Sequence, residues 1–361
     1  MKRVVLTIPT LSGGGAERVV SIWAEQLVRL GFDVSVLISG HDINEYAVHP
    51  DIRVYSIAET YSEYDKLSVL KKIILRRKLI RSINPDYIVP FLQHIQIQTY
   101  LATLRLPVKR IETVRVNPWI AEPRNWIKRY IWKRCFGTCC KILLQTKEQE
   151  EYFDVALHDK CVIIPNPVDA TCLRKYRQTF SDAAFRFIAA GRLSPQKNYP
   201  LMIDAFSQIC REHPEAKLSI YGVGEASYVE KLSMHIKCCG LENNVRLMGR
   251  SNSMADEYVK NDVFVMASKF EGMPNALAEA MACQLTCISS DCKTGPRDLI
   301  DSGVSGLLVP ANDTESLVEA MRTAMRMTKQ QRLIMGRNAR QKVLELCSEE
   351  NSCKSLAKLF E

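Results

Sequence analysis

Residues 3–38, RVVLTIPTLSGGGAERVVSIWAEQLVRLGFDVSVLI, decide the fold. An apolar, β-branched run is followed by three glycines, which permit unusual backbone angles, and then by fifteen residues whose apolar side chains recur at helical spacing. Gly31 stands where a helix commonly ends, and a second apolar run follows it. Strand, helix and strand of these lengths predict a parallel, doubly wound sheet.

The alternation of strands and helices continues in both halves of the chain. Apolar runs predict further strands at 87–91, 110–114, 142–145 and 162–164, and then at 185–190, 217–221, 245–247, 263–267 and 285–289. Helical spacing predicts helices at 199–212, 226–239 and 274–283, and a mostly helical stretch from residue 315 onward. The chain is therefore predicted to be an α/β protein with two facing Rossmann-like domains and a ligand-binding cleft between them.

A polar stretch in the middle of the chain marks the predicted domain boundary. We predict an N-terminal domain at 1–170, a linker at 171–183 and a C-terminal domain at 184–361. The last helix is expected to cross back to the N-terminal domain. A length of 361 residues is enough for two domains that each bury a core.

Composition argues against a secreted or membrane-spanning chain. No apolar run approaches the roughly 20 residues that span a bilayer, and the run after Met1 is shorter than the about 7–15 residues of a secretion signal. The 13 cysteines include no Cys-x-x-Cys, so we expect reduced thiols in the cytoplasm. His235 and Cys238 have the spacing of half a metal site without a second half, so no metal is expected.

Positive charge is concentrated in one segment. The net charge is +9, yet residues 66–134 hold 16 Lys and Arg against three acidic residues. Within them, 66–83 and 119–136 mix cations with apolar and aromatic residues, a pattern typical of helices that lie on anionic bilayers. A solvated helix face and a nucleic-acid surface are alternatives, although no nucleic-acid-binding motif accompanies the charge. The residues predicted to face the membrane are Lys71, Lys72, Arg76, Arg77, Trp126, Lys128, Arg129, Trp132 and Lys133.

Two carboxylates flank the start of a predicted helix. Glu271 begins the segment Glu271-Gly272-Met273-Pro274-Asn275, and Glu279 follows eight positions later. Proline suits the first turn of a helix, and a helix N-terminus attracts phosphate. A carboxylate accepts two hydrogen bonds from a vicinal diol, so two acids beside a phosphate site could hold two sugars. On spacing alone, two solvated glutamates are the alternative.

Two cations stand on the loop after a predicted strand, in Gly191-Arg192-Leu193-Ser194-Pro195-Gln196-Lys197-Asn198. Arg192 and Lys197 could converge on a diphosphate, the first as a planar fork and the second as a point charge, and neutralise a departing nucleotide. The chain contains no Asp-x-Asp, the motif that often holds a metal in transferases, so the two cations would replace a metal. Solvated surface charges are again the alternative.

The three-glycine loop departs from the dinucleotide-binding pattern. Gly-x-Gly-x-x-Gly starting at Gly13 would need glycine at position 18, which is Arg18. The backbone amides of the loop could still approach a diphosphate or an acceptor.

These motifs, in this order, resemble the retaining glycosyltransferases of family 4, which have the GT-B architecture of two facing Rossmann-like domains. The resemblance covers nearly the whole chain. Beside the motifs above, it rests on IPNPVD at 164–169, YGVG at 221–224, LMGR at 247–250, the segment 268–279 and GLLVP at 306–310.

The resemblance implies a role for each matching residue on the donor side. Arg192 and Lys197 are similar to the pair that binds the donor diphosphate and stabilises the leaving group. Glu271 is similar to the residue that contacts the transferred sugar, and Glu279 to the one that holds the nucleotide ribose. The other donor-binding residues implied are Gly14, Gly15, Asn166, Gly222, Gly224, Met248, Gly249, Gly272, Met273, Pro274 and Asn275.

On the acceptor side the match is looser. Thr113-x-Arg115-x-Asn117-Pro118 is similar to the family's Ser-x-Arg-Asn-x-Pro segment, with threonine for serine and Val116 inserted. The implied acceptor-side residues are Gly13, Arg115 and Asn117.

The resemblance implies a retaining, metal-independent transfer of a hexose or N-acetylhexosamine, with the donor phosphate itself taking the acceptor proton. The expected donor is a UDP-sugar, and the expected acceptor is a polyprenyl-diphosphate-linked glycan or another glycolipid of surface-polysaccharide assembly. The expected place of work is the inner face of the cell membrane. A nucleotide-sugar epimerase on the same architecture and a non-catalytic sugar-nucleotide-binding scaffold are the alternative functions.

Overall fold

The computed structural model describes residues 1–12, 14–41, 48–61, 63–178 and 184–360, so Gly13 and residues 179–183 of the predicted linker lie outside the described part. The chain divides into two compact units. The first unit comprises residues 1–167 together with 350–361, and the second comprises residues 168–349.

The first unit is a seven-stranded parallel sheet flanked by helices. Its strands are β1 (Arg3–Ile8), β2 (Asp33–Ile38), β3 (Arg53–Ser56), β4 (Tyr87–Pro90), β5 (Lys109–Thr113), β6 (Lys141–Leu144) and β7 (Cys161–Ile163). Its helices are α1 (Gly15–Arg29), α2 (Ile57–Thr60), α3 (Val69–Ile83), α4 (Gln93–Thr103), α5 (Pro118–Ala121) and α6 (Trp126–Thr138). The strand order is β3-β2-β1-β4-β5-β6-β7, and the register of β1 on β2 runs from Arg3 opposite Asp33 to Ile8 opposite Ile38.

The second unit is a six-stranded parallel sheet. It begins with α7 (Ala170–Arg174), and its strands are β8 (Arg186–Ala190), β9 (Lys217–Tyr221), β10 (Val245–Gly249), β11 (Val263–Met266), β12 (Thr286–Asp291) and β13 (Leu307–Pro310). Its other helices are α8 (Tyr199–Glu212), α9 (Ala226–Cys238), α10 (Met254–Val259), α11 (Asn275–Ala282), α12 (Pro296–Leu299), α13 (Thr314–Arg326) and α14 (Lys329–Cys347). A last helix, α15 (Glu349–Leu359), takes the chain into the first unit.

Both sheets have doubly wound topology. In the second unit the order β10-β9-β8-β11-β12-β13 repeats the pattern of the first, with the winding direction reversing between β8 and β11. The strands are almost continuously apolar because helices cover both faces of each sheet. Ligands of such sheets bind at the carboxyl ends of the strands where the winding reverses. In the second unit this point lies between the loops that follow β8 and β11.

The predicted linker needs a correction. Residues 170–174 form helix α7, whose Cys172 is buried in the core of the second unit with Ile188 and Tyr221. Arg177 forms a buried ion pair with Asp262, at 2.8 Å between Nη2 and Oδ1. Lys175 is also paired, at 2.5 Å between its Nζ and Asp256 Oδ1, so this polar segment is attached to the second unit rather than forming a free linker.

All 13 cysteines are free thiols, as predicted, and seven of them are buried. Within the described residues, no helix combines the length and the apolarity that crossing a bilayer requires.

Candidate active site

The site in the second unit rests on two loops that touch through their main chains. Gly191 N donates to Tyr221 O, and Leu193 N donates to Val223 O at 2.8 Å. A Cβ on Gly222 would lie 1.9 Å from Gly191 O, and one on Gly224 would lie 2.1 Å from Leu193 O. Both glycines are therefore required for the contact, which fixes the loop that carries Arg192 and Lys197.

Lys197 and Glu271 meet directly. Lys197 Nζ lies 2.6 Å from Glu271 Oε1, and both side chains are largely buried. The two residues come from the loops after β8 and β11, on either side of the point where the winding reverses. The sequence motifs predicted both residues to lie in one site, and the structure brings them into contact.

Arg192 differs from Lys197 in its surroundings. Its side chain is exposed, and among the described residues no ion pair involves it. It follows Gly191, whose φ of +149° favours glycine. A Cβ at this position would lie 2.9 Å from Lys197 Cε. One cation of the loop is thus held by a carboxylate, and the other is open to a ligand.

The loop that carries Glu271 is held in place by further hydrogen bonds. Gln196 Nε2 donates to Phe270 O at 2.9 Å, and Thr294 Oγ1 donates to Glu271 O at 2.5 Å. A Cβ on Gly295 would lie 2.4 Å from Gly272 O, so the turn after β12 packs against the same loop. No role was predicted for these residues from the sequence. The available signal was the Thr294-Gly295-Pro296 turn, which begins three residues after the end of the buried strand β12.

The remaining donor-side residues line the same end of the sheet. Gly272, Met273 and Pro274 are buried between Glu271 and the start of α11, and Asn275 is the first residue of that helix. Glu279 is buried one turn further on, with Tyr258 Oη 3.4 Å from Glu279 Oε2.

Met248 and Gly249 end strand β10, next to the Gly222 loop. Gly222 N donates to Gly249 O at 2.8 Å, and the Met248 side chain is 43% exposed. Beside them, Tyr221 Oη donates to Glu257 Oε2 at 2.7 Å. Burial and the Glu257 carboxylate raise the pKa of Tyr221, so the phenol stays protonated and keeps donating.

Cys292 is a further buried group beside the site. Burial raises the pKa of its thiol to about 12, and Glu271 adds to that effect while Lys197 opposes it. The thiol is neutral at physiological pH and therefore inert as a nucleophile.

In the first unit, the glycine loop opens α1. Gly14 is the N-cap residue and Gly15 the first residue of the helix. A Cβ on Gly14 would overlap the carboxylate of Glu17. The third predicted glycine, Gly13, lies outside the described residues.

Arg115 and Asn166 form a buried pair at the carboxyl edge of the first sheet. Arg115 Nη1 donates to Asn166 Oδ1 at 2.9 Å, and its guanidinium stacks on Trp23 and Phe91 at 4.3 and 4.8 Å from the ring centres. Burial lowers the pKa of Arg115 to about 9. Asn117 caps α5 by accepting from Trp119 N. The structure thus gives Arg115 and Asn117 internal contacts, and the acceptor roles stay predictions.

The predicted membrane surface is wrong at two residues. Arg76 is fully buried and donates to Thr7 Oγ1 and Ser39 Oγ, at the carboxyl ends of β1 and β2, and burial lowers its pKa to about 10. Trp132 is 2% exposed and donates from its indole to Gln96 Oε1 at 3.0 Å. Basic helices were correctly expected, but the sequence did not show which side of each helix faces the core.

The two doubly wound parallel sheets with flanking helices have the GT-B fold of solved glycosyltransferases. Residues 13–171 match the family model described as Glycosyltransferase Family 4, and residues 176–342 match that of Glycosyl transferases group 1. The chain belongs to the family 4, group 1 glycosyltransferases.

Known proteins similar to the chain agree with this assignment. An uncharacterized glycosyltransferase of Methanocaldococcus jannaschii is 30% identical over 254 residues, 64% of this chain and 62% of that protein. The N-acetylgalactosamine-N,N'-diacetylbacillosaminyl-diphospho-undecaprenol 4-alpha-N-acetylgalactosaminyltransferase of Campylobacter jejuni is 26% identical across 90% of both chains. In fold, the chain is similar to Anabaena HepE in complex with UDP, with a TM-score of 0.82, 17% identity and coverage of 100% and 99% of the two chains.

Proposed function

We propose that this glycosyltransferase moves a hexose or N-acetylhexosamine, with retention of configuration and without a metal, from a UDP-sugar to a lipid-linked glycan. The observation that carries the donor side is the contact between Lys197 and Glu271, 2.6 Å apart, beside the open guanidinium of Arg192. The Campylobacter relative is named for an undecaprenol-diphosphate-linked acceptor, and HepE was solved with UDP. These two facts support the proposed substrates.

The geometry suggests how the negative charge on the departing nucleotide is stabilised during transfer. Glu271 holds the Lys197 ammonium in place, 2.6 Å from its Oε1. A donor diphosphate would bring negative charge between Lys197 and Arg192, and these cations would stabilise the charge that grows on the departing UDP. Glu271 and Glu279 would accept hydrogen bonds from sugar and ribose hydroxyls. In this scheme the departing phosphate takes the proton of the acceptor hydroxyl.

Replacing the open guanidinium tests the donor site. We expect Arg192→Ala to lower kcat for transfer by about 10²–10³-fold, as loss of a fixed electrostatic stabiliser does elsewhere. The matched control is Arg211→Ala, an exposed arginine at the end of α8. Radiolabelled sugar transfer to a lipid-linked acceptor measures the effect, with circular dichroism as a check of folding. Equal activity of both variants contradicts the proposed role.

Three measurements decide the remaining parts of the proposal. In a thermal-shift screen, UDP-sugars should raise Tm more than GDP- and ADP-sugars, since a ligand stabilises the state it binds. Nuclear magnetic resonance of the product should show the anomeric configuration of the donor. Added Mg²⁺ or Mn²⁺ should leave kcat unchanged. A larger Tm rise with GDP- or ADP-sugars would contradict the UDP-sugar donor. An inverted product would contradict retention, and a higher kcat with added metal would contradict metal independence.

We also propose that the first unit binds an anionic membrane surface on the cytoplasmic side, through the exposed side of α6. Trp126, Ile127 and Tyr130 are 74%, 49% and 64% exposed. Lys128 and Arg134 are exposed on the same helix, and so are Arg129 and Lys133, which also pair with Glu122 at 3.3 and 3.6 Å. Aromatic and apolar side chains beside several cations suit a headgroup region, where each cation near the surface contributes about 1 kcal/mol.

Helix α3 adds a smaller surface of the same kind. Val69, Leu70 and Ile74 are exposed, with Lys71 beside them. Of the other predicted membrane residues, Arg77 donates to Ala102 O and Leu104 O, and Lys72 Nζ lies 4.7 Å from the Tyr64 ring centre. Their internal contacts make them weaker candidates than Lys71.

Sedimentation with vesicles tests the membrane proposal. The protein should sediment with vesicles containing anionic lipid and remain in solution with neutral ones. The double variant Trp126→Ser, Tyr130→Ser should lose most of this binding. Ile334→Ser, which changes an exposed apolar residue of the second unit, should not. Binding that ignores lipid charge, or survives the double variant, contradicts the proposal.

A further inference from the structure

Three metal-ligating side chains converge on helices α8 and α9, outside the candidate active site. Asp204 lies on α8, His235 lies near the end of α9, and Cys239 follows four residues later as the C-cap. Their ligand atoms all lie within 4.8 Å of one another. His235 Nε2 lies 2.7 Å from Asp204 Oδ1, and both side chains are partly exposed. We call these three residues the α8–α9 cluster.

The fold, rather than the sequence spacing, assembles this cluster. A spacing of four residues on a helix places His235 and Cys239 on one face, as in helical zinc sites. The spacing noticed in the sequence pairs His235 with Cys238 instead, but Cys238 is exposed, and it is the Cys239 sulfur that lies near Asp204 and His235. Asp204 comes from 31 residues earlier and completes a set of one nitrogen, one sulfur and one oxygen ligand.

The geometry points to a zinc-binding site. We propose that Asp204, His235 and Cys239 bind one Zn²⁺ ion, with solvent water as the fourth ligand. Zinc accepts these three ligand types in tetrahedral geometry, and three protein ligands with a water is one of its common arrangements. At bond lengths of about 2.0–2.3 Å the ligand atoms would stand about 3.3–3.8 Å apart. The histidine nitrogen and the aspartate oxygen, 2.7 Å apart, would therefore separate slightly on binding.

Charge and proton balance are consistent with this site. On binding, the Cys239 S–H bond breaks, its proton passes to solvent, and the sulfur forms a bond to zinc. The thiolate and the Asp204 carboxylate then offset both positive charges of the ion, and neutral His235 adds none. The ion would join α8, which begins just after Lys197, to α9, which begins just after Gly224. Its effect would be to brace the two helices that follow the glycine-rich loops of the donor site.

Cobalt substitution tests the site with the full chain, stripped of metal by a chelator that is then removed. One equivalent of Co²⁺ should produce sulfur-to-cobalt charge-transfer absorption, and Zn²⁺ should displace it. Cys239→Ser should abolish the band, and His235→Ala and Asp204→Asn should weaken binding. Cys238→Ser, the neighbouring exposed cysteine, is the matched control and should retain the band in full.

Thermal stability gives a second readout that does not depend on activity. At free Zn²⁺ about a hundred times the Kd, Tm should rise by about 5 °C in the wild-type protein and in Cys238→Ser, and stay unchanged in Cys239→Ser. The proposal fails if the wild-type protein shows no charge-transfer band. It also fails if the band persists in Cys239→Ser, or if Cys238→Ser removes it.

Discussion

Glu112 is a carboxyl group in the interior of the first unit, fully removed from solvent on β5. Burial raises its pKa to about 7, although Arg110, 3.4 Å away, and Gln96 oppose this rise. Burial, with the Glu112 carboxylate adding to its effect, raises the pKa of the neighbouring Cys139 to about 12. Because of this one carboxyl group, the stability of the first unit is expected to depend on pH near neutrality.

Stability should therefore fall as pH rises from about 4.5 to 7. Over this range the unfolded chain releases the proton of Glu112 while the folded chain retains it, so the free energy of unfolding drops by about 3 kcal/mol and is constant above pH 7. Glu112→Gln should remove this contribution and be relatively most stable at pH 8. Urea unfolding at pH 4.5 and 8 measures it, with exposed Glu230→Gln as the control. Parallel profiles for wild type and Glu112→Gln contradict the pKa assignment.

At the scale of single residues, the sequence identified the charged residues of the site but not the residues that hydrogen-bond to their loops. Lys197 and Glu271 could be placed in one site from the sequence, because each follows a strand at the edge of the sheet where ligands bind. Gln196 and Thr294 could not, since their role depends on a contact between loops far apart in the chain. Arg76 was misplaced for a related reason. Its partners are Thr7 on β1 and Ser39 directly after β2, and local periodicity cannot connect these strands to α3.

At the scale of elements, the donor site depends on main-chain contact between the loops after β8 and β9. Gly222 has a φ of +143°, and a Cβ there would lie 1.9 Å from Gly191 O. Neither loop can move away easily, because Gly191 N and Leu193 N are hydrogen-bonded across the contact. A side chain at position 222 would therefore displace the loop that holds the two cations.

Gly222→Ala should cost about 3 kcal/mol of stability or more, through backbone strain and overpacking. Gly240→Ala is the matched control. That glycine also has positive φ, +67°, but nothing lies within 4 Å of its Cβ position, so about 1 kcal/mol is expected. Urea unfolding measures both, and donor binding should weaken only in Gly222→Ala. Similar costs for the two variants contradict the close contact.

Most strands were predicted to within one or two residues, because buried β-branched runs end abruptly at glycine, proline or polar residues. Strands β3 and β13 were missed, and both are four-residue strands at the edge of a sheet. In β3, one exposed and two half-buried positions leave little apolar signal. Helix α4 was also missed, since its sequence QHIQIQTYLAT alternates polar and apolar residues like a strand.

At the scale of the whole molecule, the chain returns to the first unit after completing the second. Helix α15 places Leu356, Leu359 and Phe360 in the core of the first unit. The Phe360 ring lies 5.2 Å from that of Phe32 and 5.3 Å from that of Tyr87, and Lys2 Nζ donates to Phe360 O. The stability of the first unit thus depends on residues at both ends of the chain.

Phe360→Ala should destabilise the first unit by about 3–5 kcal/mol, since it removes a ring that is 2% exposed from a packed core. Hydrogen exchange followed by mass spectrometry distinguishes the units. Amides of β1, β2 and β4 should exchange faster in the variant, while those of β8, β9 and β11 should be unchanged. Leu346→Ala, which truncates a 38% exposed side chain on α14, is the control and should leave the first unit unaffected. Faster exchange throughout the second unit would contradict the expectation that the Phe360 ring stabilises only the first unit.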